Sequence, residues 1–163
     1  MRVAKRRRRE AKTNYAKRIK MLRGNSPRLV FRKTNKYVIA QYVASKQAQD
    51  KIELGVNSKV LLKYGWPKSA EGGLKSITAS YLTGFLMGKK IRNKKIPIID
   101  FGMIRNLHKT KIYGFLKGLT DSGIKIKFNE KKEIFPSEER IKGEHLKNKI
   151  SFTEIKKKIE EGI

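Results

Sequence analysis

The chain has 163 residues and no cysteine, and it sets 41 lysines and arginines against 14 acids, for a formal charge of +27. That length predicts one domain of ordinary size with a single core and some appended chain. The missing cysteines exclude disulfides, thiolate metal sites and a cysteine nucleophile. A compact body with so large an excess of one sign repels itself unless a polyanion neutralises it, so nucleic acid is the expected partner. No run approaches the roughly 20 apolar residues a spanning helix needs, and no apolar segment follows the basic N-terminus as a secretory signal requires. The expectation is therefore a cytoplasmic protein with no membrane partner.

The charge is concentrated at one end. Residues 1–36 hold fifteen basic residues and one acid, a net of +14, and nine of the twelve arginines fall between Arg2 and Arg32. Lysine alone gives bulk charge, whereas the planar guanidinium grips phosphate through two nitrogens and stacks on bases. The skew thus favours recognition over mere solubility; a charge run with no fixed target is the plainer alternative.

In chain order, residues 1–26 (with VAKRRRREAKTNYAKRIKMLR at 3–23) form a basic arm, partly helical but without a broad apolar face, which orders on its partner. Gly24-Asn25-Ser26-Pro27 ends it. A globular domain over 27–128 follows. Residues 28–33 (RLVFRK) and 36–44 (KYVIAQYVA) read as strands joined at Thr34-Asn35, and 50–57 (DKIELGVN) alternates, with Ile52, Leu54 and Val56 on one face. With Leu29 and Phe31 inward, Arg28 and Arg32 take the other face, beside Tyr37 and Gln41. A long connection pinned by Trp66 spans 58–75.

Ser76 caps a helix with Ile77, Tyr81, Leu82, Phe85 and Leu86 on its apolar face, and Gly84 and Gly88 permit close approach to a sheet. The run IPIIDF at 96–101 predicts a strand buried on both faces. A helix from about Thr110 to near Gly123 carries Ile112, Phe115, Leu116 and Leu119, and Ile124, Ile126 and Phe128 predict a fifth strand. This order gives an α/β fold: a mixed five-stranded sheet, with an antiparallel three-strand meander and crossover helices. Residues 129–163 hold nine basic and eight acidic residues, and SFTE at 151–154 has the form of a capping box, predicting a helical C-terminal extension.

Catalytic sets are scarce. His108 and His145 stand in no ligand motif, and no glycine cluster forms a phosphate-binding loop after a strand. Asp100, with Asp50 and Glu53, is the best metal-nuclease constellation, but Asp100 is more simply an acceptor for backbone N–H groups where a strand turns into a loop. No catalysis, no cofactor and no small-molecule substrate are expected. What remains is binding. Arg6, Arg7, Arg8, Arg9, Lys12, Arg18 and Arg23 track phosphates, and Asn14 and Tyr15 reach bases. Arg28, Arg32, Lys33, Asn35, Lys36 and Tyr37 add charge, an amide and a stacking ring at a sheet edge. The loop 105–111, before a helix, is a second candidate phosphate site.

The string SPRLVFRKTNK at 26–36, followed by Ala40-Gln41, resembles the L-eighteen family of large-subunit ribosomal proteins that bind 5S rRNA. The arm RRREAKTNY at 7–15, Tyr64-Gly65-Trp66 and SYLTG at 80–84 are similar to its archaeal and eukaryotic branch. The likeness covers about residues 5–145, and the segment FGMIRNLHKTKIYG after Asp100 departs from it. It implies a ribonuclease-H-like architecture without the catalytic carboxylates. It implies contacts with 5S rRNA from the arm and from Arg28, Arg32, Lys33, Asn35 and Lys36. It also implies a place in the central protuberance near 23S rRNA and neighbouring large-subunit proteins. A nonspecific nucleic-acid binder or RNA chaperone is the rival reading.

Overall fold

The computed structural model describes residues 3–47, 49–126, 134–146 and 150–162. Two short helices, α1 (Arg6–Arg9) and α2 (Tyr15–Arg23), precede the strands β1 (Arg28–Lys33), β2 (Val38–Lys46) and β3 (Gln49–Asn57). Then come α3 (Ile77–Ile91), β4 (Ile98–Asp100), α4 (Lys111–Asp121), α5 (Glu138–Lys142) and α6 (Phe152–Glu161). The described sheet is mixed and has four strands in the order β3-β2-β1-β4, with β4 parallel to β1 and the other pairs antiparallel.

The hairpin between β1 and β2 is closed by Thr34 and Tyr37. The Thr34 N–H and hydroxyl donate to the Tyr37 carbonyl at 2.8 and 2.9 Å, and the Tyr37 N–H donates to Thr34 Oγ1 at 2.9 Å. That turn sets Leu29 opposite Tyr42 and Phe31 opposite Ala40, so period-two alternation turns Leu29, Phe31, Val38, Ala40 and Tyr42 into the core together. Against this face lies α3. Ser76 Oγ accepts the Ala79 N–H at 3.1 Å, giving the helix a defined start, and every residue from Thr78 to Gly88 is buried. A helix buried all round has neighbours on all sides: the sheet on one, α4 on another, and α5 and α6 beyond.

Several expectations change. Five strands become four among the described residues: Ile124 to Ile126 are not strand, although Ile124 is buried, and Phe128 with Lys127 lies outside the described residues. Among the described residues the IPIIDF strand stands at the end of the sheet and pairs with β1 alone, and Ile96 and Ile98 are exposed. A short apolar run marks a strand without telling which place in the sheet it takes. The alternation of β3 breaks at a register shift beside Tyr42 and Val43, which leaves Ile52 55% exposed while Val56 stays in the core.

Gly84 and Gly88 face α4, not the sheet. A Cβ at Gly84 would overlap the Phe115 carbonyl oxygen, one at Gly88 the Ser122 hydroxyl, and one at Gly118 the Tyr81 carbonyl oxygen. The two helices therefore meet backbone to backbone. The 58–75 connection holds two 3-10 segments, Ser58–Tyr64 and Lys68–Gly73, pinned where the buried Trp66 indole donates to the Ala70 carbonyl at 2.9 Å. Near the C-terminus Ser151 makes no side-chain cap, yet Ile155 and Ile159 are buried in the same core as α3.

Candidate nucleic-acid interface

The face of the sheet opposite the core holds the charge. Within the arm, α1 consists of four arginines with nothing buried, because a helix without an apolar residue has no reason to seek the core. Arg7 folds back so that its Nε donates to Thr13 Oγ1 at 3.0 Å. Asn14 then starts α2 by accepting the Lys17 N–H on Oδ1 at 3.1 Å, so the side chain expected to read bases is used as a helix cap. Tyr15 begins that helix with Lys5 Nζ 4.9 Å from its ring centroid.

The second helix is tied to β3 through Arg18 and shares a cleft with residues of β1 and β4. Arg28, in the first position of β1, reaches Asp50 on β3 through Nη2 at 2.7 Å and Asp100 on β4 through Nη1 at 3.5 Å. Its side chain is only 3% exposed and its Nε has no hydrogen-bond partner among the described residues, so the guanidinium is a buried support rather than a free contact. The same Asp50 oxygen accepts from the Ser45 hydroxyl at 2.7 Å, and the other takes Arg18 Nη2 from α2 at 2.9 Å. Partial burial on its own raises the Asp50 pKa, but the hydrogen bonds from Ser45, Arg18 and Arg28 outweigh it and hold the carboxyl below its ordinary value. Asp100 accepts the Gly102 N–H at 2.7 Å and lies 3.6 Å from Arg32 Nη2. Arg32 in turn donates to the carbonyls of Phe31 and Asp100 while its side chain stays 43% exposed.

Two hollows join along this face. A cleft of about 140 Å³ between arm and sheet is lined by Arg7, Lys12, Lys17, Arg18, Arg28 and Arg32, with Asp100 the one acid in its wall. The next hollow shares Lys12, Arg32 and Gly102 with it and continues to Lys33 and Arg105. The result is a cationic groove from the arm, over the middle of the sheet, to the far end of β1 and the loop after β4.

Arg7, Lys12, Arg18, Arg28, Arg32 and Lys33 thus come together, and Arg6, Arg8, Arg9 and Arg23 stand exposed around the arm. Asn35, Lys36 and Tyr37 do not join them. They line a separate hollow with Glu71 and Lys75, where the Tyr37 hydroxyl lies 3.4 Å from Glu71 Oε1 and the ring packs on the core. Tyr37 therefore does not sit beside the arginines as the alternation had implied. Lys17 and Arg105 are groove residues absent from the expected set. Arg105 lies in the loop flagged before α4, whereas nothing in a run of arm cations tells which of them turns toward the sheet.

The three acids considered for a nuclease do not converge. Glu53 pairs with Lys94 at 2.5 Å, and Arg28 stands between Asp50 and Asp100. Among the described residues no group of three His, Cys, Asp or Glu is arranged to hold a metal ion, and no helix is long and apolar enough to cross a membrane.

A family model described as "Ribosomal large subunit proteins 60S L5, and 50S L18" matches residues 1–96, which take in the arm, the antiparallel strands and α3. The chain belongs to this family. It is 40% identical over 151 residues to large ribosomal subunit protein uL18 of Korarchaeum cryptofilum, covering 91% of this chain and 73% of that one. It is 38% identical over 146 residues to the uL18 of Methanoregula boonei, covering 88% and 80%. To that of Methanosphaera stadtmanae it is 40% identical over 142 residues, covering 86% and 70%. The protein is accordingly a structural component of the large ribosomal subunit, of archaeal kinship, with rRNA and the ribosome as its setting. Membership in a family of ribosomal structural proteins also answers the question of catalysis: this is not an enzyme.

Proposed function

We propose that this protein binds 5S rRNA and helps attach it to 23S rRNA in the central protuberance of the large subunit. The observation that carries the reading is the continuous cationic groove from Arg7 through Lys12 and Arg32 to Lys33 and Arg105. Folded RNA offers phosphates and 2′-hydroxyls along grooves and bends, and a rigid sheet with a charged arm laid on it reads such a shape without base-by-base contacts. On this reading residues 1–26 act as the arm, 27–128 as the rigid body, and 129–163 as an extension that meets neighbouring ribosomal proteins. Arg6, Arg8, Arg9 and Arg23 supply outer phosphate contacts, and Asn35 and Lys36 a second patch at the hairpin tip. The strand order, with β4 parallel to β1, agrees with a ribonuclease-H-like architecture.

Competition separates this from a nonspecific RNA chaperone. Labelled 5S rRNA is bound to the full chain and challenged with unlabelled 5S rRNA or bulk tRNA; the expected result is that tRNA competes far more weakly, and equal competition refutes the assignment. If about six to ten phosphates are neutralised, affinity falls by about three to five decades between 50 and 200 mM salt.

A further inference from the structure

A surface that binds a polyanion gains nothing from acids, yet Asp100 lines the cleft and Asp50 pairs with two of the cleft's arginines. Asp50 and Asp100 belong to the strands at the two ends of the described sheet, and both reach the same buried guanidinium on β1. Asp50 spans further: one oxygen takes Arg28 and Ser45, and the other takes Arg18 of α2. That link to the arm matters because α2 contributes no buried residue, so apolar burial does little to hold it on the sheet. Met21 and Leu22 are partly covered, while Ile19 is 49% exposed.

We propose that Asp50 and Arg28 are positioning residues for RNA binding. Arg28 fixes the Asp50 carboxylate, Asp50 seats α2 through Arg18, and the seated helix carries Lys17 and Arg18 into the groove. The proposal rests on the reading that the groove binds rRNA. Its arms are separable from that reading, because the seat of α2 exists without RNA. If only the seated arm is competent, the apparent dissociation constant equals the intrinsic one divided by the seated fraction.

The sign of one substitution decides it. Asp50→Asn removes a negative charge from a basic surface, so general electrostatics predicts tighter RNA binding. The positioning role predicts the reverse: affinity for 5S rRNA about two- to fivefold weaker, with α2 amides exchanging hydrogen faster in the RNA-free full chain. Asp50→Glu keeps the carboxylate and is expected to recover much of the affinity. Arg28→Lys, which loses the fork that holds both aspartates, is expected to follow Asp50→Asn. Glu138→Gln, on the exposed side of α5, is the charge control and is expected to bind as tightly as the parent or slightly tighter. Tighter or unchanged binding by Asp50→Asn overturns the proposal, as does weaker binding with α2 exchange unaltered. Should the parent chain not prefer 5S rRNA to tRNA, the functional reading fails, and exchange in α2 still decides whether Asp50 seats the arm.

Discussion

The two faces of the sheet are held by different forces. On the inner face, α3 and α4 meet through glycines, and Leu29, Phe31, Phe85, Phe115 and Leu119 share one buried apolar core with Ile155 and Ile159 of α6. On the outer face, α2 has no fully buried residue and rests on an arginine–aspartate relay. Burial of apolar area is insensitive to salt and to mild acid, whereas exposed ion pairs are worth about 0–1 kcal/mol and are screened. The body should therefore be a fixed platform, and the arm a part whose position answers to solution conditions and to RNA.

Removing residues 1–24 is the strongest way to break that contrast. The deletion takes away eleven basic residues and one acid, so rRNA affinity is expected to fall by about a hundredfold or more, and the salt slope by about one unit for each phosphate that is no longer neutralised. Thermal unfolding, read from the fluorescence of the buried Trp66, is expected to move little. Loss of folding would show that the arm belongs to the core. Gly118→Ala tests the other face. Its methyl would meet the Tyr81 carbonyl, so the helices must separate, at a cost of about 2 kcal/mol or more, or about 4–8 °C in the melting temperature. RNA affinity of the folded variant should stay unchanged, since the groove lies across the sheet. Arg32→Gln is smaller again: a half-exposed groove cation whose loss should weaken binding by about 1 kcal/mol and reduce the salt slope by about one.

What could be read in the sequence divides along the same line. The inner face was legible because period-two alternation in RLVFRK and the Ser76 cap are local signals, and the core residues of β1, α3 and α4 follow from them. Long-range pairing hid the rest. The register shift that exposes Ile52 and the place of Ile98 at the end of the described sheet depend on which strand lies alongside, and the partner of Gly84 is Phe115, thirty-one residues on. On the outer face, composition located the cationic end of the molecule and the alternation put Arg28 and Arg32 on its side of the sheet. It did not separate them by role: Arg28 is buried and held by two acids, 22 and 72 residues away, while Arg32 is open to the groove. Asn14 shows the same ambiguity, since a cap and a base contact look alike in one dimension.

Acid offers the gentlest probe of the contrast, because it reaches the relay without a substitution. The Asp50 carboxyl is held below its ordinary value of 3.8 by groups that favour its charged form. A group depressed in the folded state stabilises that state fully above its unfolded pKa and loses the contribution as pH falls through the folded one. The seat of α2 should thus be constant from neutral pH down to about pH 5, and weaken only below the ordinary value, as Asp50 takes up a proton and Arg18 loses its partner. The side chain is 33% exposed, so the change is expected to be under about 1 kcal/mol. Amide resonances of α2 followed from pH 6 to pH 3 should shift while those of α3 hold still, and Asp50→Asn should show the α2 shifts already at pH 6. Movement of α2 at pH 6 to 5 in the parent chain would mean that some group other than this carboxylate holds the arm in place.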